Sequence, residues 1–568
     1  MRSRPDSRQD GIVLILRYFG SAVSGTDGGT LVAVRTRSVT MLDVVISGGE
    51  VVDGTEAPAY RADVGIRGER IECIGDLSQV AARRVIDAKG LTVSPGFIDT
   101  HTHSEGDLLV DPQHACGLRQ GITTEFLGID GMSYAPLSHD NYLTYRRWLK
   151  GILGEPPEDL DMSSVEAFRA NYHEKVSINT AYLVPNGTVR LEAAGFRDVP
   201  LTEDLMARYK DLVREGMEQG AVGFSTGSSY YPGPWTSTDE LVEICELVRD
   251  LGGVYMAEPR RANPERAFGG GGVPEVLEIG RRSGVKLHFA HFRTDPRTAG
   301  KTTEHLALID EAKSEGVDVT LDIYPYASGS TIPVSFLPSW TQDGGPDAII
   351  ERLKDPGDRK KVVDYLEKEF YYMRSLDEVV FSYIPGDPSL EGISLPEYAE
   401  RIGKSLGEAL CEILLQEDLS VGYTMPPPTS YGLWRQVSKD SMELIARDDY
   451  MVCSDITPAG SMPHPRSYGA FPRFLGRLRR AYPTVSVEGM VHRMTDRPAR
   501  RFNLTDRGRL AEGYFADITI FDAERVIDTS TYDDPVQYPV GIPYVLVNGQ
   551  VAVDSERCTG VLAGQAVP

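Results

Sequence analysis

Two histidines close the segment SPGFIDTHTH, residues 94–103, at a spacing that suits metal chelation. Side chains at i and i+2 of a β-strand project from the same face, so His101 and His103 point together, with Asp99 one step behind them. A Pro-Gly pair and a short apolar strand come before them, which places the pair at a strand end. Imidazole nitrogens bind divalent metals, and the predicted chemistry is therefore metal-assisted.

Four more potential donors follow other apolar strands. They are Asp130 after GITTEFLGIDG, Glu258 in VYMAEPRR, His291 in LHFAHFR and Asp455 in YMVCSDITP. His288 is a rival to His291, but it lies an odd number of residues away and is predicted to face outward. With the first pair, three imidazoles and up to three carboxylates could hold one or two divalent metals, and Asp455 is also placed to take a proton from an attacking water.

Ordinary structural roles remain open for the three carboxylates. Asp130 lies in a Gly-Ile-Asp-Gly turn, where aspartate is common without a metal. Glu258 could instead pair with Arg260 or Arg261. Asp455 could cap a helix or form a side-chain turn. The residues alone leave these alternatives undecided.

Repeated strand and helix patterns must position these donors. Between residues 95 and 500, short apolar strands alternate with amphipathic helical runs, and this pattern predicts a parallel α/β barrel with its chemistry at the carboxyl ends of the strands. Residues 41–94 and 501–568 are rich in short strands with glycine turns. Residues 1–40 are predicted to be either a disordered leader or the product of a start codon assigned too far upstream. A short extra strand or a membrane anchor is the alternative.

Composition narrows the class of partner. The chain has 568 residues, a formal net charge of −24 and 41% hydrophobic residues. Nucleic acids and anionic membranes bind basic surfaces, so both are excluded as expected partners, and a small-molecule substrate is favoured. The six cysteines form no CxxC pair, which favours a reducing cytoplasm. A homo-oligomer is compatible with the sequence.

Eight motifs in order resemble the D-aminoacylase branch of the amidohydrolase superfamily, the N-acyl-D-amino-acid deacylases. The motifs are PGFIDTHTH, GITTEFLGIDG, GFSTGSSYYPG, VYMAEPRR, LHFAHFR, DIYPYASGST with FLPSW, PHPRSYGAFPRFLGR and RMTDRPARRFNLTDRGRLAEGYFADITIFD. The resemblance runs from about residue 41 to the end of the chain. It implies a (β/α)8 TIM-like barrel, a small β-sandwich domain built from both chain ends, and an insertion at about residues 332–450.

Site roles also follow from the resemblance. It implies that His101, His103 and His291 are metal ligands and that Asp455 is a metal ligand and the general base and acid. The residues that match substrate-binding positions or are predicted to hold a substrate carboxylate are Tyr230, Arg260, Arg293, Tyr324, Ser330 and Arg466. Arg293 stands where the family usually has lysine, and a planar guanidinium makes different contacts from an ammonium.

Two positions depart from the family pattern. Asp130 stands where relatives have a metal-binding cysteine, and Glu258 where they have a metal-binding histidine. Both replacements can still coordinate, and both are predicted as ligands. Oxygen donors favour harder metals, so zinc is expected with manganese or iron as competitors.

The expected function is hydrolysis of the amide C–N bond in an N-acylated D-amino acid or a similar small carboxylate-bearing amide. Hydrolysis of a cyclic amide or ureide is one alternative. A lyase-type or inactive protein on the same fold is the other, because one fold can host several reactions.

Overall fold

Short apolar strands and amphipathic helices alternate along most of the chain. The computed structural model describes residues 41–227, 229–368 and 376–568, and the predicted leader at residues 1–40 lies outside the described residues. The strands of the described residues are β1 (Leu42–Val51), β2 (Tyr60–Arg67), β3 (Arg70–Gly75), β4 (Ala82–Asp87), β5 (Thr92–Pro95), β6 (Phe97–Asp99), β7 (Ile122–Leu127), β8 (Asn179–Pro185), β9 (Gly223–Thr226), β10 (Val254–Ala257), β11 (Lys286–Phe289), β12 (Val319–Ile323), β13 (Ser330–Thr331), β14 (Val380–Tyr383), β15 (Gly422–Thr424), β16 (Tyr450–Val452), β17 (Ile518–Phe521), β18 (Tyr544–Val547), β19 (Gln550–Asp554) and β20 (Arg557–Cys558).

Helices connect most of these strands. The α-helices of the described residues are α1 (Glu105–Val110), α2 (Ala115–Leu118), α3 (His139–Leu153), α4 (Val165–Tyr172), α5 (Asn186–Ala194), α6 (Glu203–Glu218), α7 (Thr238–Asp250), α8 (Gly272–Ser283), α9 (Thr302–Ser314), α10 (Ser339–Gln342), α11 (Gly345–Lys354), α12 (Pro356–Lys368), α13 (Leu395–Ile402), α14 (Leu406–Gln416), α15 (Tyr431–Ile445), α16 (Arg466–Pro472), α17 (Arg479–Ala481), α18 (Val487–Met494) and α19 (Asp496–Arg501). None of the described helices is long and apolar enough to cross a membrane.

Eight parallel strands form the predicted barrel. They follow one another in the order β6, β7, β8, β9, β10, β11, β12 and β16. A parallel bridge between Thr102 and Ile456, just beyond the ends of β6 and β16, joins the two edges of the sheet. Strands such as β7 and β8 are buried along their whole length, as expected where helices cover a parallel sheet whose other face is the barrel interior.

Local sequence signals fix the helices that surround the barrel. At the start of α7, the Ser237 hydroxyl accepts a hydrogen bond from the Glu240 amide, and the Glu240 carboxylate accepts one from the Ser237 amide. This reciprocal pair satisfies amide groups that the first helical turn leaves unpaired. The helix therefore begins where the sequence changes from a loop to an apolar periodic run.

Both chain ends join in one nine-stranded sheet, which confirms the predicted β-rich domain built from both ends. Antiparallel pairing of β5 with β17 links residues 92–95 to residues 518–521. Apolar residues from both ends share one core, among them Val44, Ile66, Ile518 and Leu546. We propose domain borders near residues 94 and 501, as the sequence predicts.

An extra subdomain lies between β12 and β16. It contains the antiparallel strands β13, β15 and β14, in that order, together with α10 to α14. Helix α15 packs on β16 and α9, as a barrel helix does. The inserted elements therefore span Ser330 to Thr424, a shorter stretch at the C-terminal end than the predicted 332–450.

Candidate metal centre

The backbone that closes the barrel also carries the first two histidines. The Asp455 amide donates to the His101 carbonyl at 2.9 Å, and the His103 amide donates to the Ile456 carbonyl at 2.9 Å. Both imidazoles are buried, with exposed fractions of 0% for His101 and 2% for His103. Closure of the barrel therefore sets these imidazoles beside Asp455.

Asp130 lies within reach of three imidazoles. Its Oδ2 atom is 3.2 Å from His101 Nε2, 3.6 Å from His103 Nε2 and 3.7 Å from His291 Nε2. Asp130 follows β7 with a φ of 53°, a left-handed conformation that aspartate tolerates better than most residues. This turn directs the carboxylate into the barrel mouth.

Asp455 also lies close to the first two histidines. Its Oδ1 atom is 3.3 Å from His103 Nε2 and 3.7 Å from His101 Nε2, while its Oδ2 atom is 2.5 Å from Arg466 Nη1. One carboxylate oxygen therefore faces the imidazoles and the other is held by a guanidinium. We use the name barrel centre for the five donors His101, His103, Asp130, His291 and Asp455.

His291 enters the barrel centre by a route that strand alternation does not predict. Strand β11 ends at Phe289, and His291 follows it with a φ of 33°. His288 pairs in register with Met256, a member of the apolar cluster inside the barrel, and is fully buried. The prediction that His288 faces outward is therefore wrong, because alternation ends with the strand and the left-handed turn redirects the histidine after it.

Glu258 lines the same cavity as the barrel centre. Among the described residues, two groups bring their donor atoms within 4.8 Å of one another at this mouth: His101 with Asp130 and His291, and His101 with His103 and Asp455. Glu258 belongs to neither group, although its charge acts on the His291 imidazole. Its role as a ligand stays a prediction.

The electrostatics of the barrel centre favour bound positive charge. Burial lowers the pKa of His103, but the nearby carboxylates of Asp130 and Asp455 outweigh burial and raise the pKa to about 9. Burial also lowers the pKa of His291, but the carboxylates, with Asp130 first, raise it to about 10. Burial raises the pKa of Asp130, yet the His101 charge and the other nearby imidazoles hold it well below its usual range. The carboxylates thus stay ionised and attract cations.

Buried polar atoms in the barrel centre fit a metal. His101 Nδ1, His101 Nε2 and Asp130 Oδ1 are buried and have no hydrogen-bond partner. An unsatisfied buried polar atom costs roughly 1–3 kcal/mol, so a ligand that satisfies several of them at once is favoured. Imidazole nitrogens and carboxylate oxygens are the donors that divalent metals take.

A polar layer beneath the donors holds their backbone in place, and the sequence reading missed it. The Asp322 carboxylate accepts hydrogen bonds from Thr100 Oγ1 at 2.6 Å, from the His291 amide at 2.5 Å and from His288 Nε2 at 3.0 Å. Asp99 Oδ1 accepts hydrogen bonds from the backbone amides of His101 and Ser454. Asp99 is therefore a support for the barrel centre and not one of its donors. Asp322 could have been found, since it lies two residues before Tyr324 in the motif DIYPY.

Tyr324 is held between two arginines at the cavity wall. The Arg293 and Arg466 guanidinium carbons lie 4.4 Å and 4.8 Å from the centre of its ring. Arg293 Nη2 donates to the Tyr324 hydroxyl at 2.5 Å. Because the hydroxyl oxygen accepts from Arg293, its own hydrogen remains available to donate into the cavity.

Tyr230 and Ser330 line the cavity beside these groups. The Tyr230 hydroxyl lies 2.6 Å from Thr331 Oγ1, and the Ser330 hydroxyl donates to the Tyr423 carbonyl at 2.9 Å. Arg466 Nη2 also donates to the Ser330 carbonyl at 3.2 Å. The inserted subdomain thus supplies one wall of the site.

Arg260 is turned away from the cavity. Its Nε donates to both carboxylate oxygens of Glu275 at 2.8 and 3.0 Å, and its terminal nitrogens donate to the carbonyls of Pro234 and Thr236 at 2.6 Å each. These bonds hold the guanidinium against α8 and outside the lining of this cavity, so the contacts of Arg260 lend no support to its predicted role in substrate binding. Its neighbour Arg261 lines the cavity instead.

The cavity at the barrel mouth has a volume of about 150 Å³. Its lining includes donors of the barrel centre and the arginines Arg261, Arg293 and Arg466, together with the carboxylates Glu258 and Asp295. This arrangement suits a small acidic molecule whose reactive bond lies against the donors.

Comparisons with known proteins agree with this geometry. A model of the amidohydrolase family matches residues 84–219 and 389–553. D-aminoacylase from Alcaligenes xylosoxydans xylosoxydans is 32% identical over 92% of this chain and 97% of its own length. N-acyl-D-glutamate deacylase from the same organism is 35% identical over 89% of this chain and 93% of its own length.

A solved structure extends the similarity to the fold. N-acyl-D-glutamate deacylase from Bordetella bronchiseptica, complexed with zinc and a phosphonate inhibitor, is 30% identical, covers 93% of this chain and all of its own, and superposes with a TM-score of 0.76. In this chain too, histidines and carboxylates gather at the mouth of the barrel. The chain belongs to the amidohydrolase family, and it is a divalent-metal-dependent amidohydrolase of the D-aminoacylase branch.

Proposed function

We propose that this chain hydrolyses the amide bond of N-acyl-D-amino acids. The observation that carries the proposal is the position of Asp455, whose carboxylate lies between two buried imidazoles and a buried guanidinium at a cavity lined by cationic and phenolic groups. Relatives named for the deacylation of N-acyl-D-amino acids support the substrate class.

The donors suited to a divalent metal fall into two overlapping sets. His101, His103 and Asp455 form one, and His101, Asp130 and His291 form the other, with Glu258 proposed as an additional ligand beside His291. A bound divalent metal would supply an electrophile for the scissile carbonyl and a water of lowered pKa. We propose one or two ions, with zinc favoured and manganese or iron as competitors because oxygen donors predominate over sulfur here.

Asp455 is proposed as the group that moves the proton. Arg466 is buried beside it, and although burial raises the pKa of Asp455, the guanidinium leads the groups that lower it. Asp455 is therefore ionised and can accept a proton from the attacking water, then deliver it to the amide nitrogen as the C–N bond breaks. The Asp455 carboxylate therefore serves both proton transfers, and no second general acid is needed.

Tyr324 and the arginines are proposed to bind and orient the substrate. The hydroxyl hydrogen of Tyr324 is free to donate to the oxyanion that forms on the carbonyl. Arg293 holds that phenol in place, and together with Arg466 it provides positive charge for the substrate carboxylate. Tyr230 and Ser330 complete the wall.

Arg261 and Arg293 also favour an acidic side chain on the substrate. Both line the cavity, and a second carboxylate there would be paired with a cation in a partly buried setting. We therefore propose that N-acyl-D-glutamate or N-acyl-D-aspartate is hydrolysed better than an N-acyl amino acid with an apolar side chain.

Release of free amine tests the proposal. The N-acetyl derivatives of D-glutamate, D-aspartate and D-leucine would be compared with their L-enantiomers as matched controls. We expect turnover of the D-forms and little or none of the L-forms. Ring opening of dihydropyrimidines without release of amine from any N-acetyl amino acid would favour the cyclic-amide alternative, and inactivity of the metal-loaded enzyme in both assays would favour the lyase-type or inactive alternative.

We also propose a cytoplasmic location. All six cysteines are free thiols, as is usual where glutathione keeps cysteine reduced. If the enzyme, fused to an export signal and sent to the periplasm, keeps its full activity there, the proposed cytoplasmic location has no support.

A further inference from the structure

A second group of donor atoms lies outside the barrel. Asp107 in α1, His114 just before α2 and Cys116 in α2 approach one another around the His114 ring. Asp107 Oδ2 lies 3.8 Å from His114 Nδ1, and Cys116 Sγ lies 3.7 Å from Nδ1 and 3.8 Å from Nε2 of the same ring. The three donor atoms all lie within 4.8 Å of one another. We call these three residues the outer cluster.

Glu125 orients the histidine of the outer cluster. Strand β7 places Phe126 in the apolar cluster inside the barrel, so its neighbour Glu125 points to the outer face. There Glu125 Oε1 lies 2.7 Å from His114 Nε2, and both side chains are fully buried. A proton on Nε2 donated to this carboxylate leaves Nδ1, the nitrogen on the side of Asp107, with a free lone pair. Metal-binding histidines are commonly held by a carboxylate in this way.

The distances approach those of a tetrahedral zinc site. Zinc bonds of about 2.0 Å to nitrogen or oxygen and about 2.3 Å to sulfur place neighbouring donors roughly 3.3–3.6 Å apart. The observed separation of 3.7 Å between Nδ1 and Sγ is close to the upper value, and the 3.8 Å between Nδ1 and Oδ2 exceeds the lower value by about 0.5 Å. Because Sγ lies nearly as close to Nε2, at 3.8 Å, the Cys116 side chain must turn toward Nδ1 to share an ion with the other two donors.

Two further features indicate a built site. Glu125 Oε2 is buried and has no hydrogen-bond partner, so this carboxylate keeps accepting capacity beyond its bond to His114. A Cβ atom at Gly117 would lie 2.6 Å from His114 Cδ2 and 2.7 Å from Glu125 Oε1. Glycine at this position lets α2 pack directly on the pair.

We propose that the outer cluster is a second, non-catalytic zinc site. Asp107 and His114 would bind through oxygen and nitrogen, and Cys116 through its thiolate after the thiol releases its proton to solvent. The partly exposed Asp107 side chain, 29% accessible, gives the ion a route in and leaves a position for water. A thiolate ligand selects zinc over magnesium or manganese. The ion would tie α1 and α2 to β7.

Cobalt substitution of the full-length enzyme tests this site directly. The proposed ligands of the barrel centre are nitrogen and oxygen atoms, so thiolate-to-cobalt charge-transfer absorption reports a cysteine ligand elsewhere. We expect the band in the wild-type protein, its loss in Cys116→Ser, and its retention in Cys245→Ser, a matched buried cysteine on α7. Absence of the band in the wild type, or its loss only in Cys453→Ser beside Asp455, would overturn the proposal.

Zinc content provides a second measurement. We expect wild-type protein reconstituted with zinc to retain one more ion per chain than Cys116→Ser, with kcat unchanged within experimental error. Asp107→Asn, which alters a partly exposed residue and keeps its shape, should lose the same ion if Cys116→Ser does not fold. Equal zinc content in the wild type and in Asp107→Asn would count against the site.

Discussion

The barrel centre and the outer cluster bring together similar donors by opposite routes. The barrel centre draws its side chains from the ends of β6, β7, β11 and β16, so it exists only when the barrel is closed. The outer cluster draws Asp107, His114 and Cys116 from one short segment, with Glu125 as its link to the barrel wall. The first arrangement can respond to substrate at an open mouth, whereas the second has two of its three donor residues buried and is suited to holding structure.

The placement of sulfur separates the two groups most clearly. The family resemblance implies a cysteine where Asp130 stands, yet here the position carries a carboxylate that lies near three imidazoles. The thiol of Cys116 lies instead in the outer cluster. Because oxygen donors suit harder metals and thiolates suit zinc, the two groups should differ in metal preference.

The largest effect is expected at the barrel centre. Asp455→Asn keeps the size of the side chain but removes the proton acceptor, and kcat should fall by roughly 10³-fold or more. Amine release from N-acetyl-D-glutamate measures it. The thiolate-to-cobalt band should be unchanged, because the outer cluster is intact. Full activity of this variant would refute the proposed role of Asp455.

An intermediate effect is expected from Glu125→Gln in the outer cluster. An amide in place of the carboxylate weakens the hold on His114 Nε2, and loss of such a partner typically costs about 10–100-fold in metal affinity. Competition with a chromogenic chelator would measure zinc affinity at the site that Cys116→Ser abolishes. Turnover should stay near the wild-type rate. A fall in kcat together with unchanged zinc affinity would show that Glu125 acts on the barrel centre and not on the outer cluster.

The sequence predicts the barrel because its signals are local and repeated. Each strand is a short apolar run and each helix an amphipathic one, so the order of elements follows from periodicity. His101 and His103, Asp130 and Asp455 are found for the same reason, since donors at the ends of parallel strands meet at one edge. The structure brings these residues together within hydrogen-bonding or metal-binding reach.

The misplaced residues depend on information that periodicity lacks. His288 faces inward against expectation, while His291 reaches the barrel centre as expected because the φ of 33° at His291 breaks the alternation after β11. Arg260 binds Glu275, a partner supplied by α8 that only the packed structure identifies. The sequence does not predict the outer cluster either, because the spacing of its three donors matches no common zinc motif and Glu125 comes from the outer face of β7.

The smallest of these three effects is expected from Asp130→Cys, which makes the barrel centre resemble the outer cluster in donor type. A thiolate in place of this carboxylate should shift metal preference toward zinc and away from manganese, with activity within about tenfold of wild type if a metal ligand is retained. Reconstitution with equal zinc and manganese followed by metal analysis measures the shift. Asp130→Ser is the control, since it removes the carboxylate without adding a thiolate and should lower metal content at the centre.

In the double variant Asp130→Cys with Cys116→Ser, a returning thiolate-to-cobalt band would come from the barrel centre. If Asp130→Ser holds as much metal as the wild type, Asp130 is not a ligand and the difference between the two groups lies in their surroundings instead of their donors.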